Sequence, residues 1–345
     1  MATVTDNPRL DLRILLVTNM YPLPDLPYYG VFVQEQVDSL RKRGAKVEIL
    51  FINGHRSRLA YLWGLLALIR KVWFGSWRYD LILAHHGYAA LIARMQFHLP
   101  LVAMIHEAVA TQKGLEPFFA RFAVLYADLP IVVNQANYLA FGRRRALIQC
   151  CGVDLAKFRM QPQTESRANL GIAPNGKVVL FAADPTRRHK RYDLVKGAVS
   201  LLIAEGVDVN LQTFGNYSRE VMPTVMNAAD VLVMASDYES GPLVVKEAVA
   251  VGLPVVTVAC GEVLEICRDN PTAFVVEQTA VGIAEGLRKA LRIPLKERRP
   301  RAKAWFDHNH KIDELSAALQ IVAGHKNGYN LVYGNSDRIV AGATV

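Results

Sequence analysis

The chain has 345 residues, of which 52% are hydrophobic and 21% are charged. This length exceeds one ordinary domain and fits two, and the composition excludes a disordered chain. The 40 Lys and Arg against 31 Asp and Glu give a formal net charge of +9. That charge favours an anionic partner, which leaves nucleic acid, an anionic membrane and a phosphorylated substrate open. The excess lies in residues 1–160, which carry a net +8, whereas residues 161–345 carry +1.

The four cysteines and the N-terminus bear on the cellular compartment. Cys150, Cys151, Cys260 and Cys267 form no CxxC pair and no cluster with zinc-ligand spacing, so we expect reduced, structural thiols. The N-terminal MATVTDNPRLDLR lacks the pattern of a signal peptide. The most apolar window, 59–69, has 11 residues, short of the ~20 that cross a bilayer. These features predict a cytoplasmic protein without a transmembrane span.

Short apolar, β-branched runs alternate with helix-length segments along the whole chain. Continuous apolar runs are typical of parallel strands that are covered on both faces. Six runs followed by five predict an α/β protein with two doubly wound, Rossmann-like domains rather than one eight-fold barrel. The predicted strands are 13–19, 46–53, 80–86, 101–106, 129–135, 146–150, 177–184, 209–215, 230–236, 254–259 and 273–277.

A loop-rich stretch at 152–176 separates the two groups of strands. We therefore assign residues 1–151 to an N-terminal domain and residues 152–304 to a C-terminal domain. Residues 305–345 comprise a helical pattern and a tail. Ligands of such sheets bind beyond the carboxyl ends of the strands, so we expect the two domains to face a central cleft.

The segment 235–254, ASDYESGPLVVKEAVAVGLP, is the most informative one in the chain. It predicts a strand that ends near Ser236 and a helix that begins around Ser240, Gly241 and Pro242. The free N–H groups of Leu243 and Val244 and the positive end of the helix dipole would form a candidate diphosphate site.

Two carboxylates flank the start of this predicted helix. Glu239 precedes it and Glu247 lies inside it. One carboxylate could reach a ligand in front of the helix and the other a group along its side, and paired sugar hydroxyls suit both. The same spacing also occurs on solvent-exposed helix faces. The functional interpretation therefore depends on the strand that precedes the two carboxylates and on the turn residues at both ends of the helix.

Glu-x7-Glu in ESGPLVVKE, followed by AVAVGLPVV, resembles the donor-site signature of family 4 glycosyltransferases, which have the GT-B fold. Five further segments are similar to elements of that family in the same order. They are LRILLVTNMYPLP with the following YYGVFVQEQVDSLRKRGAKVEIL, DLILAHHG, PLVAMIHEA, CGVDLAKF and VVLFAADPTRRHKRYDLV. The resemblance covers roughly residues 13–290 and implies a retaining enzyme, with a C-terminal helix that crosses back to the first domain.

Carried over position by position, the resemblance implies specific roles in donor binding and catalysis. Glu247 would bind the ribose hydroxyls of the nucleotide, and Glu239 would contact the donor sugar. Lys190 would neutralise the diphosphate leaving group. His106 would lie near the anomeric centre, and Gly30 would let the backbone approach the phosphates closely.

Other candidates concern the acceptor and the absence of a metal. His85, His86 and Glu107 follow predicted strands and are candidate acceptor contacts, although each also has an ordinary structural interpretation. The resemblance implies positive side chains and a helix dipole instead of a metal ion, and no DxD motif occurs in a strand-end loop. The nucleotide-sugar is then a co-substrate, and we expect no cofactor.

The chain departs from the family pattern at the phosphate loop. Asp184 stands where the family usually has Arg, and Arg191 stands where a Gly usually follows the phosphate Lys. Arg187 and Arg188 are therefore candidate substitutes for the missing cation. The stretch between Gly215 and Asp230 is also short, which leaves the nucleotide base undefined.

A second signal lies in the basic half of the chain. HRSRLAYLWGLLALIRKVWFGSWR (55–78) interleaves cations with three Trp residues, and Arg143-Arg144-Arg145 adds another basic patch. This composition is typical of a helix at an anionic membrane surface, but a helix that covers a sheet would also be apolar. No nucleic-acid motif accompanies the charge, so we do not expect nucleic acid as a partner.

Together these features predict a GT-B glycosyltransferase that moves a sugar from a nucleotide-diphosphate donor to a lipid-linked or cell-surface glycan. We expect it on the cytoplasmic face of the membrane. Two alternatives stay open: a non-hydrolysing nucleotide-sugar 2-epimerase, and a non-catalytic, glycosyltransferase-like scaffold subunit.

Overall fold

The computed structural model describes residues 9–27, 29–54, 56–75, 78–109, 114–142, 146–213, 218–324, 331–333 and 339–341. The chain forms two compact units. The first comprises Met1–Cys150 with Lys311–Val345, and the second comprises Cys151–His310.

The first unit contains a parallel sheet in the order β2-β1-β3-β4-β5-β6. Strands β3, β4 and β5 are buried at every residue, because helices cover both faces of the sheet. The strands are β1 (Arg13–Thr18), β2 (Lys46–Phe51), β3 (Leu81–His85), β4 (Leu101–Ile105), β5 (Leu129–Val132) and β6 (Leu147–Ile148).

Two layers of helices cover this sheet. The N-terminal segment of this unit contributes five helices. They are α1 (Val31–Lys42), α2 (Ala60–Phe74), α3 (Gly87–Arg94), α4 (Glu116–Tyr126) and α5 (Gln135–Ala140). Helices α2, α3 and α4 pack on one face, where Leu68, Ala89 and Ala123 join one apolar core. Helix α1 packs on the other face through Val33 and Val37.

Helix α12 (His308–Gly324) completes the second layer. Its buried residues include Ile312, Leu315 and Leu319, which join the same core as Ile14 and Val33. The C-terminal residues of this helix therefore belong to the core of the first sheet. A two-stranded antiparallel pair, β12 (Leu331–Tyr333) and β13 (Ile339–Ala341), follows.

The second unit repeats the architecture with a parallel sheet in the order β11-β10-β9-β7-β8. Its strands are β7 (Lys177–Phe181), β8 (Val209–Thr213), β9 (Val231–Met234), β10 (Val255–Val258) and β11 (Ala273–Val276). Its helices are α6 (Gln163–Asn169), α7 (Tyr192–Ala204), α8 (Met222–Ala228), α9 (Leu243–Val251), α10 (Val263–Cys267) and α11 (Ala280–Leu291). Short 3-10 turns span Arg188–Lys190, Leu295–Glu297 and Ala304–Phe306.

The predicted fold class, two doubly wound α/β domains, is confirmed. Each predicted strand range contains one strand, and most observed strands end one to three residues before the predicted range does. The strand at Val209–Thr213 is followed by residues 214–217, so the predicted strand end at Gly215 lies outside the described residues. Among the helices of the described chain, none combines the length and apolar composition needed to cross a bilayer.

We expect Leu315→Ala to lower the free energy of unfolding by about 2–5 kcal/mol, because it removes a fully buried side chain from the core under the first sheet. Urea denaturation measures this loss. Ala317→Ser, at an exposed position of the same helix, serves as the control. Equal effects of the two changes would contradict the packing of α12 described here.

Candidate active site

An ion pair lies beyond the carboxyl end of β9 in the second unit. Lys190 Nζ contacts Glu239 Oε1, and the Ser236 hydroxyl donates a hydrogen bond of 2.7 Å to the same oxygen. The Lys190 and Glu239 side chains are 15% and 16% exposed. The pair therefore lies at the surface of its unit, where a ligand could exchange with either partner.

Several contacts hold the two loops of this pair together. The His189 ring stacks on Tyr238 with centroids 4.8 Å apart, and the Asp237 N–H donates to the His189 carbonyl at 2.8 Å. Arg191 bridges from the Lys190 loop to Asp237 at 3.3 Å. These contacts fix the Lys190 and Glu239 backbones relative to each other.

Arg191 adopts a left-handed backbone conformation, with φ of 54°. A residue other than glycine pays a steric cost of about 1–2 kcal/mol in this conformation. The Arg191 guanidinium also bonds Asp193 at 3.0 Å. Its side-chain bonds offset part of the backbone strain.

The turn after β10 packs closely on the Glu239 loop. Gly261 has φ of 54°, and a Cβ there would lie 2.6 Å from the Glu239 carbonyl oxygen. Burial, followed by the nearby Glu239 carboxylate, raises the pKa of the Cys260 thiol to about 12. All four cysteines are free thiols, as predicted.

Helix α9 begins directly after this loop. Pro242 is its N-cap, within the predicted start at Ser240, Gly241 and Pro242, and its carbonyl accepts hydrogen bonds from the N–H groups of Val245 and Lys246. The N–H groups of Leu243 and Val244 precede these and lie at the positive end of the helix. Gly252, with φ of 77°, ends the helix.

Glu247 is buried on α9 and forms an ion pair with Arg219, a residue that the sequence did not single out. The Arg219 guanidinium also lies 4.8 Å from the centre of the Phe158 ring. A buried carboxylate needs a cation or hydrogen-bond donors as partners. This requirement could have predicted a basic or hydrogen-bonding partner for Glu247 from the sequence. It could not predict which of the many arginines supplies the charge.

Lys246, the neighbour of Glu247, is fully buried and was also missed. Its Nζ lies 2.6 Å from Glu262 Oε2, donates to the Cys151 carbonyl at 3.0 Å, and sits 5.2 Å from the centre of the Trp305 ring. A Cβ at Gly241 would approach the Glu262 carboxylate to 3.0 Å. The small residue in Ser240-Gly241-Pro242 therefore makes room for this buried pair.

The phosphate-loop candidates are differently placed. Arg187 and Arg188 are exposed, and within the described ranges neither forms an ion pair. Asp184 accepts hydrogen bonds from the Thr186 N–H at 2.8 Å and from its hydroxyl at 2.7 Å. These bonds lower the pKa of Asp184. Asp184 thus closes the loop locally through Thr186.

In the first unit, His85 and His106 meet at the carboxyl ends of neighbouring strands. Nδ1 of His85 lies 3.0 Å from Nε2 of His106, and the rings stack with centroids 5.1 Å apart. Burial, followed by the neighbouring His86, lowers the pKa of His85 to about 3, and burial likewise lowers the pKa of His106. Both rings are therefore neutral, and one donates its proton to the other. Phe32 packs on His106 at 4.7 Å.

Glu107 and His86 form a second contact at this edge. His86 has φ of 73°, and its Nδ1 lies 3.6 Å from Glu107 Oε1, which accepts the Gly87 N–H at 2.7 Å. Burial alone would raise the pKa of Glu107, but His86 and the Gly87 N–H outweigh it and lower that pKa. The Glu107 carboxylate thereby caps helix α3, a structural role that the sequence left open.

Gly30 lies at the N-terminus of α1 with φ of 71°, and a Cβ there would come within 2.5 Å of the Met20 backbone. Glycine is required at this position for that close approach. In the part of the chain that the structure describes, no group of three His, Cys, Asp or Glu residues is arranged to hold a metal ion.

Comparisons with known proteins agree with this architecture. Residues 196–305 match the sequence model of the family "Glycosyl transferases group 1". A D-inositol 3-phosphate glycosyltransferase from Geodermatophilus obscurus is 27% identical over 301 residues, which cover 71% of this chain and 67% of that protein. The chain spans between 56% and 67% of the length of five curated relatives with this description.

Solved structures show the fold. The Anabaena protein Alr3699/HepE in complex with UDP and glucose aligns with a TM-score of 0.63 at 18% identity, covering 92% of this chain and 100% of that one. An α,α-trehalose-phosphate synthase (UDP-forming) from Burkholderia vietnamiensis aligns with a TM-score of 0.67 at 14% identity, covering 92% and 99%. The fold is therefore GT-B. Together with the family match, the relatives support glycosyltransferase activity for this chain.

We expect the buried imidazoles to make stability fall in acid. Because the pKa of His85 is about 3 when folded and ~6.5 when unfolded, the unfolded chain binds more protons below pH ~6.5. The stabilisation is complete above that pH and decreases as the pH falls from it toward 3. His85→Asn keeps a donor near Nδ1 but cannot titrate, so its loss of stability between about pH 6.5 and 4 should be shallower by up to ~1.4 kcal/mol per pH unit.

Urea denaturation across this pH range measures the two slopes. His310→Asn, at an exposed position, is the matched control and should follow the unmodified protein. Parallel curves for His85→Asn and the unmodified protein would contradict a neutral, buried His85.

Proposed function

We propose that this protein is a retaining, family 4 glycosyltransferase that moves a hexosyl group from a nucleotide-diphosphate donor to a lipid-linked or cell-surface glycan. The observation that carries this proposal is the pairing of Lys190 with Glu239 directly before the N-terminus of α9, which carries Glu247. A cation, a carboxylate and free helix amides thus lie together at one sheet edge. These groups suit a diphosphate and the hydroxyls of a sugar.

In the proposed complex the nucleotide binds along α9. Glu247, held ionised beside Arg219, accepts hydrogen bonds from the ribose hydroxyls. The diphosphate accepts hydrogen bonds from the N–H groups of Leu243 and Val244, and Ser240 and Gly241 form the turn in front of it. UDP is the first nucleotide to examine, because the Anabaena structure holds UDP.

In the chemical step, the bond between the anomeric carbon and the diphosphate oxygen breaks, and its electron pair stays on the diphosphate. The acceptor hydroxyl forms the new bond on the same face of the sugar, and its proton passes to the departing oxygen. Lys190, with Arg187 or Arg188 from the exposed loop, stabilises the charge that develops there. No metal ion is needed in this scheme.

Glu239 is proposed to release Lys190 to the diphosphate and to bind the hydroxyls of the donor sugar. His106 contacts the sugar near the anomeric carbon as a neutral hydrogen-bonding group, with its orientation fixed by His85. Gly30 permits a close approach of the backbone to the phosphates. His86 is proposed to contribute to acceptor binding, with its ring beside the buried Glu107 carboxylate.

The acceptor is proposed to be anionic or membrane-bound because the first unit carries most of the positive charge. A lipid-linked acceptor would be met at the cytoplasmic face of a membrane, with the protein bound peripherally. The predicted patch Arg143-Arg144-Arg145 and the predicted Trp77 lie outside the described residues. The exposed Arg70 of helix α2, together with its exposed Trp63, Trp73 and Phe74, supports this location.

We expect Glu247→Gln to weaken nucleotide binding at least tenfold, because the neutral amide loses the charge-assisted hydrogen bonds to the ribose. The thermal shift produced by UDP-, GDP-, ADP- and TDP-sugars measures this change. Glu285→Gln, at an exposed position on α11, is the control. A Glu247→Gln protein that keeps its thermal shift would contradict the assignment of the ribose site.

We expect Lys190→Ala to lower kcat by about 10²–10³-fold, because it removes a cation from the leaving group. Assays with the donor that gives the largest thermal shift measure this loss. Lys196→Ala, exposed on α7, should leave kcat unchanged. If Lys190→Ala raises KM alone, the residue binds substrate without acting in the transition state.

A further inference from the structure

Helix α2 is apolar on its outer face as well as on its inner face. Gly64 and Leu68 are buried on the inner side. The outward residues are Leu62, Trp63, Leu66, Trp73 and Phe74, which are between 49% and 82% exposed. A helix that covers a sheet normally presents polar residues to solvent. Burial against the sheet therefore explains only half of the hydrophobic residues in this helix.

Helix α4 repeats this feature, which no pattern in the sequence had indicated. Leu115, Phe118, Leu125 and Tyr126 are exposed along it. Helix α3 lies between α2 and α4 in the same layer, where Tyr88 contacts both Tyr61 and Phe119. The two exposed rows thus belong to one helical layer of the first unit. We call them the α2–α4 face.

Exposed apolar residues are concentrated in this layer. Of the 20 large hydrophobic residues that are exposed in the described chain, twelve lie between Leu59 and Tyr126. Those of the second unit, such as Ile203 and Leu264, lie apart on different helices. Scattered apolar residues are normal at a surface, whereas a concentration of them on neighbouring helices is typical of a binding site.

The layer is also strongly basic. Residues 56–126 contain eight Lys and Arg against three Asp and Glu, and one of the three, Glu107, is buried. Arg58, Arg70, Arg78 and Arg121 are exposed. Cations beside exposed Trp, Phe and Leu residues suit a bilayer interface, where rings insert at the headgroup level and cations meet anionic lipid.

A surface pocket of about 970 Å³ adjoins the C-terminal end of α2. Arg41, Arg70, Lys71 and Phe74 line it together with the edge strand β2. Lys71 pairs with Glu48 on that strand, whereas within the described residues Arg70 forms no ion pair. Phe74 belongs to both the pocket and the α2–α4 face, and Arg70 lies one helical turn before it in the pocket. A lipid whose tails contact this face could therefore place its phosphate in the pocket.

We propose that the α2–α4 face docks the protein on a bilayer that contains anionic lipid, and that the pocket at Arg41, Arg70 and Lys71 receives a lipid phosphate. The positive charge and the two separate apolar rows favour a fluid, anionic bilayer as the binding partner over a groove on another protein. The proposal rests on the proposed function only for the membrane location of the acceptor. It makes the pocket a site apart from the donor-binding residues of the second unit.

The test is co-sedimentation of the full chain with vesicles of phosphatidylcholine alone or with about 30% phosphatidylglycerol. We expect binding to the anionic vesicles that weakens as salt is raised. Trp63→Ser with Phe118→Ser should reduce this binding about tenfold or more, because both side chains lose insertion into the bilayer. Arg70→Gln should reduce binding to the anionic vesicles without altering the weaker binding to the neutral ones.

Matched controls separate the surface from a general loss of hydrophobicity or charge. Ile203→Ser and Arg292→Gln, both at exposed positions of the second unit, should bind vesicles like the unmodified protein. The thermal shift by nucleotide-sugars should be the same in all these variants. A change in vesicle binding with an intact thermal shift therefore tests docking apart from donor binding.

Four results would overturn the proposal. Equal binding to neutral and anionic vesicles would show that the cations do not contribute to docking. Unchanged vesicle binding of the Trp63→Ser/Phe118→Ser protein would show that the α2–α4 face does not contact the bilayer. Self-association in ultracentrifugation that Phe118→Ser abolishes, without vesicle binding, would make the face an interface between copies. Inorganic phosphate that stabilises the protein through Arg70 in the absence of vesicles would assign the pocket to a soluble phosphate.

Discussion

The constraint on which this structure depends is the burial of parallel strands on both faces. Strands such as β3, β4 and β9 have no surface on which a polar side chain could meet water. Polar groups are therefore confined to the ends of the strands, and all parallel strands of a sheet end at the same edge. This is why His85 and His106 meet in one unit, and why Lys190 and Glu239 meet in the other.

Charge compensation inside the second unit then shapes the candidate donor site. Lys246 and Glu247 are neighbours on α9, so they point about 100° apart and find different partners. Lys246 pairs with Glu262 beneath the Ser240-Gly241 turn, and Glu247 pairs with Arg219. Removing one partner of such a pair costs about 3–5 kcal/mol, because a buried charge is left behind. The pairs therefore hold both the helix and its preceding turn in place.

The sequence predicted the strands well because a doubly buried strand must be apolar and short, and few other elements share that pattern. It also placed Lys190 and Glu239 at strand ends of one sheet. It did not predict Arg219 or the Lys246–Glu262 pair, because pairing between distant residues depends on helix orientation and not on local spacing. The exposed row on α4 was missed for a related reason, since hydrophobicity alone does not reveal which residues face the core.

The most direct test of the central claim is product analysis with nucleotide-sugars and a membrane-extracted glycan acceptor. The account predicts release of one nucleoside diphosphate per sugar transferred, only when acceptor is present, and a product with the anomeric configuration of the donor. Conversion of the donor to its epimer in the absence of acceptor would contradict it and identify an epimerase. Binding of nucleotide-sugar without any turnover would instead identify a non-catalytic subunit.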